Sequence, residues 1–297
     1  MSVGSERKGS WFVRITIAVV VIIWFFPVAG VLVTSFRPAD VVNTTGWWTA
    51  LSRPFRTSEW TLENYRTVLD ANGFKNAVLN SLAVVIPSTT MPITIAAFAA
   101  YAFSWMQFRG RQLMFVLVVA LMVVPLQMAL IPILRLYVDG GEVFGVKVFP
   151  DLDLNGTFLG IWLAHTAFGL PLATYLLRNY IGSLPSSIIE SAKIDGADHF
   201  TIFWRLVVPL SVPALAAFTI FQFLWVWNDL LVAYVFLGGT RSTQVVTIAL
   251  SNLSGSRGND WHLLTSAAFI TMMLPLLVFF ALQRYFIRGL TAGAVKG

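Results

Sequence analysis

Several polar and aromatic residues stand inside otherwise apolar segments of this chain, where such residues are rare and usually functional. Gln222, Trp225 and Asp229 are three and four residues apart, so on one continuous helix they would share a face. A tryptophan ring can pack against the C–H groups of a sugar, while amide and carboxylate groups can hydrogen-bond its hydroxyls. Such a combination would suit a polyhydroxylated ligand, and the candidate residues for a substrate path are Gln127, His165, Gln222, Trp225, Asn228 and Asp229.

The same residues have other interpretations. Polar groups inside membrane helices also hydrogen-bond to neighbouring helices, which is the commoner role of a lone histidine such as His165. Alternatively, His165 and Asp229 could relay protons or ions in a secondary transporter. A membrane-embedded enzyme is disfavoured, because the two residues come with no motif, metal-ligand spacing or nucleophile, and the chain has no cysteine. We expect no catalytic residue and no metal site.

The composition indicates what kind of structure must hold these residues. Hydrophobic residues make up 57% of the 297 positions and charged residues only 11%, with a mean hydropathy of +0.75. A soluble domain carries about 25% charged residues, so an ordinary water-soluble protein is nearly excluded. The net charge of +6 fits basic residues that flank membrane helices better than a nucleic-acid interface. The predicted fold class is all-α, a polytopic membrane protein.

Six segments are long and apolar enough to cross a bilayer, which takes about 20 residues each. The loop between the second and third is very short and carries Arg109 and Arg111, and such loops are cytoplasmic. Because the number of spans is even, both termini are then cytoplasmic, as tails 1–14 and 284–297 around a transmembrane domain at 15–283. The spans are placed at about 15–36, 77–105, 113–137, 157–177, 210–236 and 263–283.

The cytoplasmic segment 183–209 has the pattern of two short helices joined by a tight turn. Pro185 suits the first turn of one helix and Gly196 its C-terminus. Asp198 can cap the second helix, which Pro209 is expected to end. From periodicity alone, the segment fits a simple amphipathic connector as well as a partner-binding loop. The apolar faces comprise Ile188, Ile189 and Ala192 in the first helix and Phe200, Phe203, Trp204 and Val207 in the second.

The residue sequence of this segment resembles the E-A-A-x3-G-x9-I-x-L-P signature of ABC-importer permeases. Glu190-Ser191-Ala192 is followed after three residues by Gly196, and after nine more by Leu206, with Val208-Pro209 at the end. TLENYRTVL, NDWHLLTSAA and QRYFIRGLTAGAVKG look like the maltose-type carbohydrate-uptake branch, and WVWNDLLVAYVFL looks closest to its α-glucoside permeases. The resemblance assigns coupling to an ATPase to these residues: Glu190, Ser191, Ala192, Asp195, Gly196, Ala197, Leu206 and Pro209.

The resemblance implies a permease subunit of an ATP-driven sugar importer in the cytoplasmic (inner) membrane of a bacterium or archaeon. Its partners would be a second permease in a heterodimer, two ATPase subunits, an extracytoplasmic sugar-binding protein, the sugar and membrane lipid. The chain has no G-x-x-x-x-G-K-[ST] run, so ATP and Mg are expected on the partner ATPase and no cofactor or enzymatic activity on this chain. Peptides or ions remain alternative cargoes, because only the flanking motifs indicate a sugar.

Overall fold

A computed structural model describes residues 11–71, 73–256 and 260–294 of the chain, and within these ranges it is almost entirely helical. Fourteen helices are present there, with one two-stranded hairpin. The helices are α1 (Trp11–Ser35), α2 (Ala39–Thr44), α3 (Trp48–Ser52), α4 (Glu63–Ala71), α5 (Phe74–Trp105), α6 (Arg111–Ala120), α7 (Leu126–Asp139), α8 (Phe158–Gly182), α9 (Ser186–Ile194), α10 (His199–Ile202), α11 (Val208–Trp227), α12 (Leu231–Leu237), α13 (Val246–Ser256) and α14 (Trp261–Ala294).

Five of the described helices are long and apolar enough to cross a membrane. A bent helix pair makes a sixth span if it is counted as one, which agrees with the six predicted spans. Within the described residues, the first helix already includes Trp11, before the predicted residue 15, because residues 11–13 are themselves apolar. The five helices are Trp11–Ser35, Phe74–Trp105, Phe158–Gly182, His199–Trp227 and Trp261–Gln283.

The predicted third span is not one straight helix. Arg111–Val123 and Leu126–Asp139 meet at an angle of 106°. Pro125 lies at the break, and the residue before it, Val124, has an extended backbone with ψ of 117°. A residue that precedes proline is disfavoured in the α conformation, so the sequence ends one helix there and starts another.

The predicted fifth span, 210–236, is also broken. The helix that begins at His199 ends at Trp227, and α12 begins only at Leu231. The carboxylate of Asp229 accepts hydrogen bonds from the backbone N–H groups of Val232 (3.2 Å) and Ala233 (2.9 Å), so it caps the new helix. The expectation that Gln222, Trp225 and Asp229 share a face of one helix is therefore wrong. Gln222 and Trp225 belong to the helix that ends at Trp227, whereas Asp229 lies beyond its end and caps α12.

Prolines inside α5 leave carbonyl groups without their helical partners, and side chains from other spans compensate. Pro87 has no N–H to offer the carbonyl of Ala83, four residues earlier. The indole N–H of Trp162, on α8, donates to that carbonyl at 2.9 Å. The pairing fixes α8 against α5 at this level, within the compact unit Asn76–Ala249 with Met273–Gly297.

The other compact unit is formed by residues up to Lys75 with Leu250–Met272, and a buried arginine organises its extramembrane part. Arg37 is 1% exposed and donates to the carbonyls of Thr45 (3.3 Å) and Gly46 (2.9 Å). Its other terminal nitrogen reaches the hydroxyl of Thr49 (3.1 Å) and the carboxylate of Glu59 (3.2 Å). These contacts hold α2, α3 and the short helix Thr57–Glu59 close to the end of α1.

Two local elements were not predicted. The loop at 138–156 contains an antiparallel hairpin of Gly141–Val143 and Val146–Phe149, turned by Gly145 in the left-handed region at φ +78°. The loop at 237–262 contains α13. Both follow broken or bent spans, and apolar residues of α12 such as Phe236 pack against Tyr137 of α7, with ring centroids 5.5 Å apart.

Candidate functional site

The segment 183–209 forms the predicted helix–turn–helix. Helix α9 ends in a Schellman motif: the N–H of Ala197 donates to the carbonyl of Ala192 (2.9 Å), and that of Gly196 to Lys193 (3.1 Å). Gly196 has φ of +83°, which confirms that glycine is needed for its left-handed backbone. Asp198 then caps α10 by accepting the N–H of Thr201 at 2.7 Å. Hydrogen bonds from Thr201 hold the pKa of the Asp198 carboxyl below its usual range.

The inner side of this segment is anchored firmly to the ends of the spans. Ile189, Ile202, Phe203 and Val207 are buried in a core that includes alanines of α5 and apolar residues of α8. The hydroxyl of Tyr101, on α5, is 2.8 Å from Nδ1 of His199. The two short helices are therefore packed tightly against the ends of α5 and α8.

The outer side of the segment exposes apolar groups beside the motif residues. Ile194 is 85% exposed, Phe200 67% and Trp204 46%. Of the four residues predicted to form the apolar side of the second helix, Phe203 and Val207 are therefore buried, whereas Phe200 and Trp204 are exposed. The helix passes into a π-helical turn at Phe203–Val207. The motif residues Glu190, Ser191, Asp195 and Gly196 are exposed on the segment, while Ala192 and Ala197 are half-buried.

Pro209 does not end the second helix. The helical path runs unbroken from His199 to Trp227, with the π-helical turn immediately before Pro209. Pro209 is the second residue of α11, and the wider turn before it accommodates the proline ring and its missing N–H. Leu206 packs half-buried against the core of the segment.

Four of the six candidate path residues form two groups in the structure. The first group comprises His165, Trp225 and Asp229, and the second contains Gln222. The side chain of His165 is 1% exposed, and its Nε2 lies 3.7 Å from a carboxylate oxygen of Asp229. The ring of Trp225 meets the imidazole edge to face, with centroids 5.3 Å apart. Neither nitrogen of His165 has a hydrogen-bond partner among the described residues. Asp229, in the break at residues 228–230, and Trp225, in the last turn of α11, therefore both contact His165.

Gln222 forms the second group with α5 and α8. Its amide nitrogen donates to the carbonyl of Ser88 at 3.2 Å, the carbonyl that Pro92 leaves without a helical partner. It packs so closely on Gly169 that a Cβ there would lie 2.6 Å from the amide nitrogen. Nearby buried hydroxyls have no hydrogen-bond partner in the described part of the chain; they belong to Ser88, Thr89 and Thr166.

The remaining two candidates lie apart from these groups. The side chain of Asn228 is exposed and donates to the carbonyl of Leu224 at 2.7 Å, which closes the end of α11. Gln127 is exposed in the first turn of α7, and the described contacts do not join it to His165 or Gln222.

A groove of about 500 Å³ lies beside Trp225 at the break in the third span. Its walls are mostly apolar and come from both halves of the bent segment and from α8, including Met122, Pro125, Phe168 and Pro171. Trp225 thus contacts His165 and also lines the groove. An aromatic ring placed between a polar group and a groove can bind a ligand that has both hydroxyl and C–H surfaces.

Sequence reasoning missed the residues that support these groups. Trp162 and Gly169 belong to no recognisable motif, and their roles depend on contacts between spans that are distant in the sequence. One signal was available: a proline inside a membrane helix frees the carbonyl four residues before it, and a donor on a neighbouring helix must satisfy that carbonyl.

Comparisons with known proteins identify the family. Residues 92–292 match the family model of the binding-protein-dependent transport system inner membrane component. The chain is 56% identical to the osmoprotective compounds uptake permease protein GgtD of Synechocystis sp., over 96% of this chain and 91% of the relative. It is 43% identical to the alpha-glucoside transport system permease protein AglG of Rhizobium meliloti, over 97% of each.

The fold agrees with a solved structure. The crystal structure of a bacterial ABC transporter involved in the import of the acidic polysaccharide alginate contains a chain that superimposes with a TM-score of 0.73. The superposition covers 96% of this chain and 99% of that one, at 18% sequence identity. The family match and the close relatives favour the importer interpretation over the ion-coupled alternative. The chain belongs to the inner-membrane permease family of binding-protein-dependent transport systems.

Proposed function

We propose that this permease imports a neutral polyhydroxylated compound, an α-glucoside or a related oligosaccharide. The observation that carries the proposal is the group formed by His165, Trp225 and Asp229 beside an open groove. This group offers a ring face, a carboxylate and an imidazole, and no lysine or arginine, which favours a neutral ligand over an anionic one. The name of the α-glucoside relative points to the same class of substrate.

The proposed energy source is ATP bound to partner subunits. In this proposal, the exposed face of 183–209, with Glu190, Ile194 and Phe200, docks on an ATPase, while its buried face pulls on α5 and α8. Closure of two ATPase subunits would then rock the spans between inward-facing and outward-facing states. The full assembly would contain a second permease and an extracytoplasmic binding protein, with ATP and Mg on the ATPases.

The proposed topology places both termini and segment 183–209 in the cytoplasm. Arg109 and Arg111, in the short loop between α5 and α6, support it. Because the chain has no cysteine, single cysteines can be introduced and labelled without background. Gln107→Cys, in that loop, should react with an impermeant maleimide only after the membrane is opened. Labelling in intact cells would show that the orientation is opposite to the proposed one.

The substrate class is tested with the complete importer, reconstituted with its ATPase and binding protein. We expect ATPase stimulation and uptake with α-linked glucosides such as trehalose, sucrose or maltose. A β-linked disaccharide, an alginate oligosaccharide and glycine betaine serve as the linkage, charge and non-sugar controls. A response to betaine alone would exclude a sugar and would indicate a zwitterionic osmolyte as the cargo of this permease.

Coupling is tested at Gly196, whose missing Cβ would meet no atom within 4 Å in this chain. A tryptophan there has room within the permease but obstructs a partner that approaches the turn. Gly196→Asn is the matched control, because asparagine tolerates the left-handed backbone with a small side chain. We expect Gly196→Trp to abolish uptake while Gly196→Asn retains most of it. Equal loss in both variants would indicate backbone strain rather than docking, and normal uptake with tryptophan would refute the coupling role.

A further inference from the structure

A polar pocket of about 350 Å³ lies where the ends of three spans meet, apart from the candidate path and bordering segment 183–209 at Ser183. It is formed by the end of α5, the start of α6 and the end of α8. Its lining is mainly polar and basic. The polar lining residues are Ser104, Arg111, Arg178, Asn179 and Ser183.

The two arginines of this pocket have no acidic partner among the described residues, where no carboxylate lies within 4.0 Å of either. Arg111 donates one hydrogen bond, from Nη1 to the carbonyl of Met106 at 3.0 Å. The guanidinium of Arg178 stacks over the ring of Phe115, 4.7 Å from its centroid, which holds the group in place. A guanidinium has five N–H donors, so both arginines retain donors for a ligand.

The pocket lies at the level where membrane helices end. Trp105 terminates α5 there, and its indole N–H donates to the carbonyl of Ile181 at 3.1 Å. Tryptophan at a helix end marks the boundary between hydrocarbon and headgroups, the depth at which phospholipid phosphates lie. The oxygen atoms of Ser104 and Ser183 and the side-chain amide of Asn179 line the same space. They suit the glycerol hydroxyls of a headgroup.

We propose that Arg111 and Arg178 bind the phosphate of an anionic phospholipid from the cytoplasmic leaflet. Guanidinium groups match phosphate in shape and charge, and basic pockets between spans on the cytoplasmic side are typical headgroup sites. The inference rests on the proposed orientation of the permease. It does not depend on the identity of the transported compound. A bound lipid would join α5, α6 and α8 at their cytoplasmic ends, next to the segment that docks the ATPase.

The test uses the complete importer in mixed micelles, with phosphatidylglycerol and phosphatidylcholine titrated and the bound lipids counted by native mass spectrometry. We expect one phosphatidylglycerol to bind more tightly than phosphatidylcholine. Each Arg→Gln change, at 111 or 178, should weaken it about 5-fold, and the double change ~25-fold, from the contribution of one basic side chain near a membrane surface. Arg111→Lys with Arg178→Lys, which keeps both charges, should retain most of the preference.

Arg109→Gln is the matched control, because Arg109 is exposed in the same loop and does not line the pocket. The thermal midpoint and subunit content of each complex show whether the variant has assembled. Unchanged phosphatidylglycerol binding in assembled Arg111→Gln/Arg178→Gln complexes would overturn the proposal. So would equal affinity for inorganic phosphate or glycerophosphoglycerol, because the ligand would then be soluble. External labelling of Gln107→Cys would overturn the orientation, whereas uptake assays test the transport function separately.

Discussion

The hydrogen bond from Gln222 to the carbonyl of Ser88 predicts a specific compensation between two residues. Pro92 removes the N–H that would otherwise bond this carbonyl, and the amide of Gln222 replaces it at 3.2 Å. Gln222→Met keeps the side-chain length but removes the donor and leaves the carbonyl unsatisfied. Pro92→Ala restores the backbone N–H, so in that background the same change should cost much less.

The magnitude follows from the surroundings of the bond. Gln222 is 1% exposed, so water cannot replace its amide. An unsatisfied buried acceptor costs about 1–3 kcal/mol, and hydrogen bonds between membrane helices average about 0.6 kcal/mol, with the strongest near 1.7. We expect Gln222→Met to lower the free energy of unfolding by about 1–2 kcal/mol in the native background. With Pro92→Ala the loss should fall to ~0.5 kcal/mol, which gives a coupling of about 1 kcal/mol.

The assay is a double-mutant cycle of denaturant unfolding in micelles, combined with uptake by the reconstituted importer. Gln127→Met is the matched control, because Gln127 is an exposed glutamine of the same candidate set and its loss should cost less than ~0.5 kcal/mol. Equal costs of Gln222→Met in both backgrounds would refute the reasoning. Uptake decides the role of Gln222 in transport. If the double variant of Gln222 and Pro92 is stable but inactive, the amide contacts substrate; if uptake returns, its role is structural.

Three further outcomes are expected. Trp162→Phe removes the donor to the carbonyl freed by Pro87, so the free energy of unfolding should fall by about 1 kcal/mol. In a Pro87→Ala background the same change should lower it by less, because the backbone N–H is restored. Glu59→Gln removes the carboxylate beside buried Arg37, and we expect it to lower the free energy of unfolding, measured with denaturant, by about 3 kcal/mol. The lowered pKa of Asp198 means that its charged form stabilises the fold above its usual pKa and loses this effect as pH falls through the lowered value. The gap in thermal midpoint between the native chain and Asp198→Ala should therefore narrow in acid and stay constant above pH ~5.

The spans and the turn at 195–198, the proposed docking turn, could be predicted because their signals are local. Twenty apolar residues in a row define a membrane helix whatever lies beside it. Gly196 and Asp198 were identified as C-terminal and capping residues by rules that involve only the adjacent turn, and the structure confirms both. The bend at Pro125 was predictable in kind but not in angle, because the angle of 106° depends on packing against other elements.

The candidate site was less predictable because its geometry depends on where helices stop. A helical wheel placed Trp225 and Asp229 on one continuous helix, but the helix ends between them and the carboxylate of Asp229 caps a new helix. Both residues nevertheless approach His165. The residues that define the site are thus partners across distant segments, such as Gln222 with Ser88. No pattern in a single segment shows which neighbour will satisfy a freed carbonyl.

The proposed docking turn and the candidate site lie at opposite ends of one continuous helical path. A single helical path of 29 residues runs from His199 to Trp227, and at 1.5 Å per residue it extends ~43 Å. His199 directly follows the docking turn, while Trp225 lies in the last turn at the other end. Because the path is continuous, a displacement of the turn would reach Trp225 without passing through a loop. The break at residues 228–230 ends this path, so α12, capped by Asp229, need not move with it. Relative movement of the two would change the contact between Trp225 and His165, and this contact is where we expect coupling to alter substrate binding.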